Sequence, residues 1–158
     1  MRSSVDVHNY LQNKDIPHEI FLVNNATKTA ERAAALLRLR PSEVAKSILF
    51  LAEEKPILAV IPGDKKVNYK KLKHVLGTDH VHLAPAQSLR DLTGYLIGAT
   101  PPLAHQTKMQ VLIDEGIMDH EVIYTGGGEL NAMLKIRPQD LKKVSEAKIA
   151  DITQDLEH

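Results

Sequence analysis

The sequence predicts an α+β fold built on a mixed sheet, and three observations predict it. Residues 44–51 and 57–61 are short apolar runs with no gap for a solvent face, the pattern of strands buried on both sides. Only Ala52 and the turn residues Glu53, Glu54, Lys55 and Pro56 separate their ends, so the two pair as a hairpin. Capped helical segments alternate with strands irregularly, rather than in the strict βαβ order of a doubly wound parallel fold.

In chain order, Ser3 or Ser4 caps a first helix, with Asp6 in its first turn and Val7, Tyr10 and Leu11 on one stripe. Residues 13–17 break it, 18–23 read as a strand and 24–28 as a polar loop. Thr29 caps a second, alanine-rich helix running to about Arg38. Pro41 opens a short turn that delivers the chain into the 44–51 strand. After the hairpin, Pro62, Gly63 and Asp64 stop the second strand. Asn68 caps a helix that Gly77 closes, and a helix over 85–93 is closed by Gly94. Residues 80–83, 95–97, 111–113, 121–125, 132–136 and 148–152 read as further strands. Pro138 begins the last helix.

The 158 residues suit one domain, here taken as 1–155, with Leu156, Glu157 and His158 resembling an expression-tag scar. Hydrophobic residues at 43% and charged residues at 25% are globular proportions. Zero formal net charge argues against indiscriminate nucleic-acid binding through a whole-molecule basic field. With no cysteine, disulfides, thiol catalysis and cysteine-ligated zinc are excluded. No apolar run approaches the ~20 residues of a membrane span, and no signal-peptide pattern opens the chain, so a cytoplasmic protein is expected.

Lys46 is the residue that most needs explaining. It begins an apolar strand and shares a face with Ile48 and Phe50. Either its stem packs while its ammonium reaches water, or it lines a cavity. The stretch from Gly98 and Ala99 through Thr100 to Pro101 and Pro102 is either a rigid turn or a preorganised loop whose N–H groups face a ligand. Gly126, Gly127 and Gly128 form a hairpin loop or a place where a nucleotide passes close to the backbone. Lys70 and Lys73 share one helix face within a lysine cluster, read as a solvated surface or as a small phosphate-contacting patch. His80 and His82 share a strand face, but two ligands are not a metal site, and no metal is expected. His105 reads as a loop histidine. Walker, Gly-x-Ser-x-Gly, Gly-x-Gly-x-x-Gly and His-Glu-x-x-His patterns are missing.

The order of these features resembles one family. Lys46 follows a helix and a proline turn. Then come Asn68 before a lysine-rich helix, Leu92-Thr93-Gly94-Tyr95, Gly98 with Pro102-Leu103, a glycine-rich hairpin, and Pro138 with Asp140-Leu141. Together they resemble the YbaK/ProX aminoacyl-tRNA deacylases, the prolyl-tRNA editing domain, over nearly the whole chain. The resemblance implies a curved, barrel-like mixed sheet flanked by helices. It implies metal-free, cofactor-free hydrolysis of the ester joining a wrong amino acid, Cys or Ala, to tRNA(Pro). It implies tRNA as substrate and prolyl-tRNA synthetase as a partner. Lys46 is then the essential lysine, and Gly98, Ala99 and Thr100 position the reacting group. Asn68, Pro101, Pro102, Gly126, Gly127 and Gly128 bind substrate, and Lys70 and Lys73 contact tRNA. Two departures bear on the acyl pocket: Ala104 stands where relatives often carry glycine, and the hairpin lacks their serine or lysine. Rival readings are a non-catalytic module gripping aminoacyl-tRNA ends or a synthetase, and an enzyme acting on a smaller acyl or nucleotide ester.

Overall fold

The computed structural model describes residues 1–23 and 29–156. The polar loop expected over 24–28 lies outside them. Helix α1 (Ser4–Asn13) starts at a reciprocal capping box between Ser3 and Asp6 and buries Val7 and Leu11. Strand β1 (Glu19–Leu22) follows, then α2 (Ala30–Leu37), capped by the Thr29 hydroxyl accepting from the Arg32 amide at 3.1 Å. A 3-10 turn at Pro41–Glu43 leads into β2 (Ala45–Ala52), which pairs along its length with β3 (Lys55–Pro62). Glu53 and Glu54, both at positive φ, make the two-residue hairpin turn between them.

Next come β4 (Lys65–Val67), α3 (Tyr69–Leu76), β5 (Val81–Leu83) and α4 (Ala86–Thr93). Asn68 caps α3, and Gly77 and Gly94 end α3 and α4 in the left-handed conformation. The last third holds β6 (Gln110–Asp114), β7 (Ile123–Gly126), β8 (Ala132–Ile136), α5 (Pro138–Ser145), β9 (Lys148–Ala150) and β10 (Thr153–Asp155).

A five-stranded sheet in the order β5-β2-β3-β6-β9 is the centre of the molecule. Its β5, β2 and β3 are antiparallel, while β6 and β9 join in parallel, so the sheet is mixed as expected. Strand alternation divides the core. Ala45, Leu49, Leu58, Val60, Val111 and Ile113 face α1, Tyr95, Leu103 and the sheet β1-β8-β7. Phe50, Ile57, Ala59, Ile61 and Leu112 face Leu72 of α3 and Ile152. Burial on both sides is why these strands carry no polar alternation.

The mixed α+β fold is as expected, its barrel-like curvature is not shown, and two expected strands need correction. The strands form separate sheets of three, two and five, with no closed barrel among the described residues. Residues 95–97 are not a strand. Tyr95 is fully buried, its amide donates to Thr93 Oγ1 and its hydroxyl to the Ala104 carbonyl, and the chain turns there. The expected strand over 148–152 is broken at Asp151 and Ile152. The buried Asp114 carboxylate accepts from the Ile152 amide at 3.0 Å and the Thr153 hydroxyl at 3.1 Å, and so turns the chain from β9 into β10 beside β4.

Candidate active site

A cavity of about 310 Å³ opens where β2 begins. Val44, Ala45, Lys46 and Ser47 form one wall, and the first turns of α2 (Thr29, Ala30, Glu31, Ala33) another. Ile97, Gly98 and Thr100, Gly126 at the end of β7, and Met133 of β8 complete it. Four of the expected residues, Lys46, Gly98, Thr100 and Gly126, therefore converge from three separate parts of the chain.

The backbone around Gly63 sets the strand against α2. A Cβ at Gly63 would lie 2.7 Å from the Pro41 carbonyl oxygen and 2.8 Å from Ala30 Cβ, so only glycine lets the end of β3 close this corner. The Gly63 amide donates to the Val44 carbonyl at 2.7 Å. Lys46 is opposite Ile61 in the hairpin register and is half-buried. Its ammonium makes no ion pair or hydrogen bond among the described residues and lies beside the cavity.

The 97–100 turn presents backbone. Gly98 has φ +83°, a conformation that glycine adopts without strain. The Leu96 carbonyl accepts from the Ala99 amide at 3.1 Å and from the Thr100 hydroxyl at 3.0 Å. Those two donors are spent within the turn. The amides of Gly98 and Thr100 donate to nothing among the described residues. Pro101 and Pro102 are buried behind them.

The glycine hairpin is a brace for this turn. A Cβ on Gly126 would lie 2.7 Å from the Thr100 carbonyl oxygen, and the Gly128 amide donates to the Ala99 carbonyl at 2.9 Å. Gly127 is equally close to Ala132, and Gly128, at φ +102°, to the backbone of Ser3 and Ser4. What passes close to these three glycines is this chain's own backbone. Behind the turn, Arg2 Nη1 donates to the Ala104 carbonyl at 3.2 Å, and His105 Nε2 donates to the Pro101 carbonyl at 2.7 Å. Burial, more than any other cause, holds His105 below its ordinary pKa, and burial pushes Tyr95 up to about 12.

Other expected residues lie elsewhere. Ala99, Pro101, Gly127 and Gly128 do not line this cavity, and Pro102, Ala104 and His105 line a different one, shared with Lys14, Lys108 and Lys143. Asn68 is outside the lining, its side chain accepting from the Lys71 amide at 3.0 Å. Lys70 and Lys73 line a shallow surface depression with His74. Within their cluster Lys65 pairs with Asp155, and Lys71 with Asp151 at 2.9 Å, while Lys70 and Lys73 have no partner among the described residues. No group of three metal-ligating side chains occurs among the described residues.

The residues missed by sequence reasoning are Glu31 and the α2 wall, and the hydroxyls of Ser47 and Thr125, which are buried without a hydrogen-bond partner among the described residues. A serine between Lys46 and Ile48 in an apolar strand was the available signal for one of them.

Comparison with known proteins adds the following. The model of the aminoacyl-tRNA editing domain matches residues 24–144. The proline–tRNA ligase of Lactobacillus helveticus is 35% identical over 101 residues, 64% of this chain and 18% of that protein. That of Lactobacillus acidophilus is 31% identical over 110 residues, 70% of this chain and 20% of that protein. The chain thus spans about a fifth of the length of these relatives. Among solved structures, the hypothetical protein APE2540 superposes with a TM-score of 0.90 at 31% identity, over 94% of this chain and 99% of that one. A candidate trans-editing enzyme for prolyl tRNA synthetase shares the fold, with a TM-score of 0.87 at 23% identity over 96% of each chain.

Proposed function

This chain belongs to the aminoacyl-tRNA editing domain family, and on that premise we propose that it removes wrongly attached amino acids from tRNA in trans. The substrate we assign is tRNA(Pro) mischarged with Cys or Ala. The observation that carries the reading is the cavity itself. Lys46, whose ammonium has no partner among the described residues, and Gly98 and Thr100, whose amides have none among them either, line a pocket together with Ala30, Ala33, Ala45 and Val44.

Each part has a role in ester hydrolysis. As water attacks the acyl carbon, negative charge grows on the carbonyl oxygen, and fixed N–H groups stabilise it without reorganising. Lys46 binds the phosphate or ribose of the terminal nucleotide and holds the ester in line. The ester C–O bond breaks, water supplies the hydroxyl of the free acid, and the ribose oxygen leaves with the proton. The attacking water loses its proton to solvent or to the neighbouring ribose hydroxyl, and no step passes through a metal. At about 310 Å³ the cavity is near the lower end for ligand sites. The methyl-lined wall therefore admits small acyl groups and turns larger ones away, the second sieve of double-sieve editing.

Lys70 and Lys73 provide a tRNA-backbone contact in a protein with no net charge, and prolyl-tRNA synthetase is the partner that hands over the mischarged tRNA. A panel of mischarged tRNAs tests the assignment. Catalytic release of Cys or Ala from tRNA(Pro), with Pro-tRNA(Pro) spared, supports it. Tight binding without turnover at high protein concentration identifies a binding module instead.

A further inference from the structure

Tyr69 is 43% exposed, and among the described residues no other phenylalanine or tyrosine is as open. It opens α3, and its ring meets the buried ring of Phe50 edge-on, with centroids 5.7 Å apart and planes at 85°. Phe50 is on β2, four residues beyond Lys46. Strand alternation puts the two on one face, about 13 Å apart along the strand. Ile48 lies between them on that face, half-buried and packed against the same cluster as Phe50. Strand β5 pairs with β2 only from Phe50 to Ala52, and so stops short of Ile48 and Lys46. Lys70 follows Tyr69 directly, and Lys73 is one turn further on the same side of α3, neither with a partner among the described residues.

We propose that Tyr69 is a stacking platform for a base of the single-stranded CCA end of tRNA, upstream of the nucleotide that Lys46 holds. The inference rests on the editing function proposed above. The ester of an aminoacyl-tRNA is on its last ribose, so the unpaired nucleotides before it must run from the cavity out to the body of the tRNA. Proteins hold such strands with cations along the backbone and aromatic faces under the bases, since every base has a π-face whatever its identity. Here cations stand at both ends of a short path, Lys46 at the cavity and Lys70 and Lys73 on α3, and the Tyr69–Phe50 contact joins the two. The surface along the path, at Ile48, is apolar and suits the flat face of a base. Packed on Phe50, the Tyr69 ring loses little freedom when a base covers it. If the side chain only had to cover Phe50, leucine would serve as well. What leucine lacks is the π-face.

The test measures binding of uncharged tRNA(Pro), intact or lacking its 3′ CCA, by fluorescence anisotropy. Tyr69→Leu keeps an apolar side chain over Phe50 but removes the ring. It should weaken binding of the intact tRNA at least about fivefold, the lower end for losing one stacked base. Tyr69→Phe keeps the ring and should stay within about twofold of the parent. The tRNA lacking CCA should bind parent and Tyr69→Leu alike. The salt slope should be the same for both proteins, because stacking releases no counterions. Equal binding of intact tRNA by parent and Tyr69→Leu overturns the proposal. So does a Tyr69→Phe protein that loses as much as Tyr69→Leu, or a loss that persists when the CCA is absent. None of these measurements needs a charged tRNA, so a CCA-dependent loss supports the platform even if no ester is cleaved, in which case hydrolysis alone fails. Where esters are cleaved, kcat/KM of Tyr69→Leu should fall at least about fivefold further for Cys-tRNA(Pro) than for cysteinyl-adenosine, which has no upstream base. Equal falls count against the platform.

Discussion

The Tyr95 hydroxyl donates a 2.8 Å hydrogen bond to the carbonyl of Ala104, and so ties together the two ends of the segment that carries Gly98 and Thr100. The ring is fully buried and meets His105 edge-on, so the tie is made inside the core. Removing only the hydroxyl tests its contribution. Tyr95→Phe should cost about 1–2 kcal/mol, because the Ala104 carbonyl keeps only Arg2 as a donor. Urea denaturation measures this, and a midpoint equal to the parent's would show that the tie is not needed to close the loop.

Ala104 itself has φ +59°, in the region where residues other than glycine are strained. Glycine there relieves about 1 kcal/mol of strain and restores a comparable entropy to the unfolded chain. Ala104→Gly should therefore leave stability within about 0.5 kcal/mol of the parent. Since Ala104 lies outside the Lys46 cavity, acyl preference should not change, contrary to the sequence-based expectation that this position shapes the acyl pocket. Ala104→Val, which adds a β-branch in the same conformation, should unfold at distinctly lower urea.

His105 gives the fold a pH dependence of known sign. Burial lowers its pKa, so between the folded value and the ordinary one near 6.5 the unfolded chain binds the extra proton. Stability then rises with pH through that window and is lost as pH falls below about 6.5. Melting temperatures at pH 7.5 and 5.5 should differ more for the parent than for His105→Gln. Equal differences would assign the dependence to other groups.

Replacing Lys70 and Lys73 together with alanine should weaken tRNA binding at low salt. The slope of log affinity against log salt should fall by about two, one for each phosphate that no longer meets a lysine. The melting temperature should hardly move, since neither side chain pairs with another group among the described residues. An unchanged slope would place the tRNA on another face.

Much of this was legible locally. Caps at Ser3, Thr29 and Asn68 and the closing glycines Gly77 and Gly94 depend only on neighbouring residues, and all five hold in the structure. The β2–β3 hairpin was readable for the same reason. Long-range facts were not. Nothing near Lys65 announces that β4 pairs with β10, 90 residues away, or that buried Asp114 bends the chain between β9 and β10. Tyr95 has the apolar neighbours of a strand residue, yet its hydroxyl finds a carbonyl nine positions on. In the cavity, Lys46 and Gly98 stood out as oddities of their own segments. Glu31 and the alanines of α2 look like any helix face until the fold brings that helix over β2.

The central claim is that the Lys46 ammonium works on substrate and not merely in packing. Single-turnover hydrolysis of Cys- and Ala-tRNA(Pro) by Lys46→Ala and Lys46→Arg, with circular dichroism to confirm folding, tests it most directly. Removing one preorganised electrostatic interaction should slow Lys46→Ala by ~10²-fold or more. Lys46→Arg should fail nearly as badly, because a wide planar fork replaces a compact charge. A folded Lys46→Ala protein that deacylates at the parent rate would contradict the mechanism.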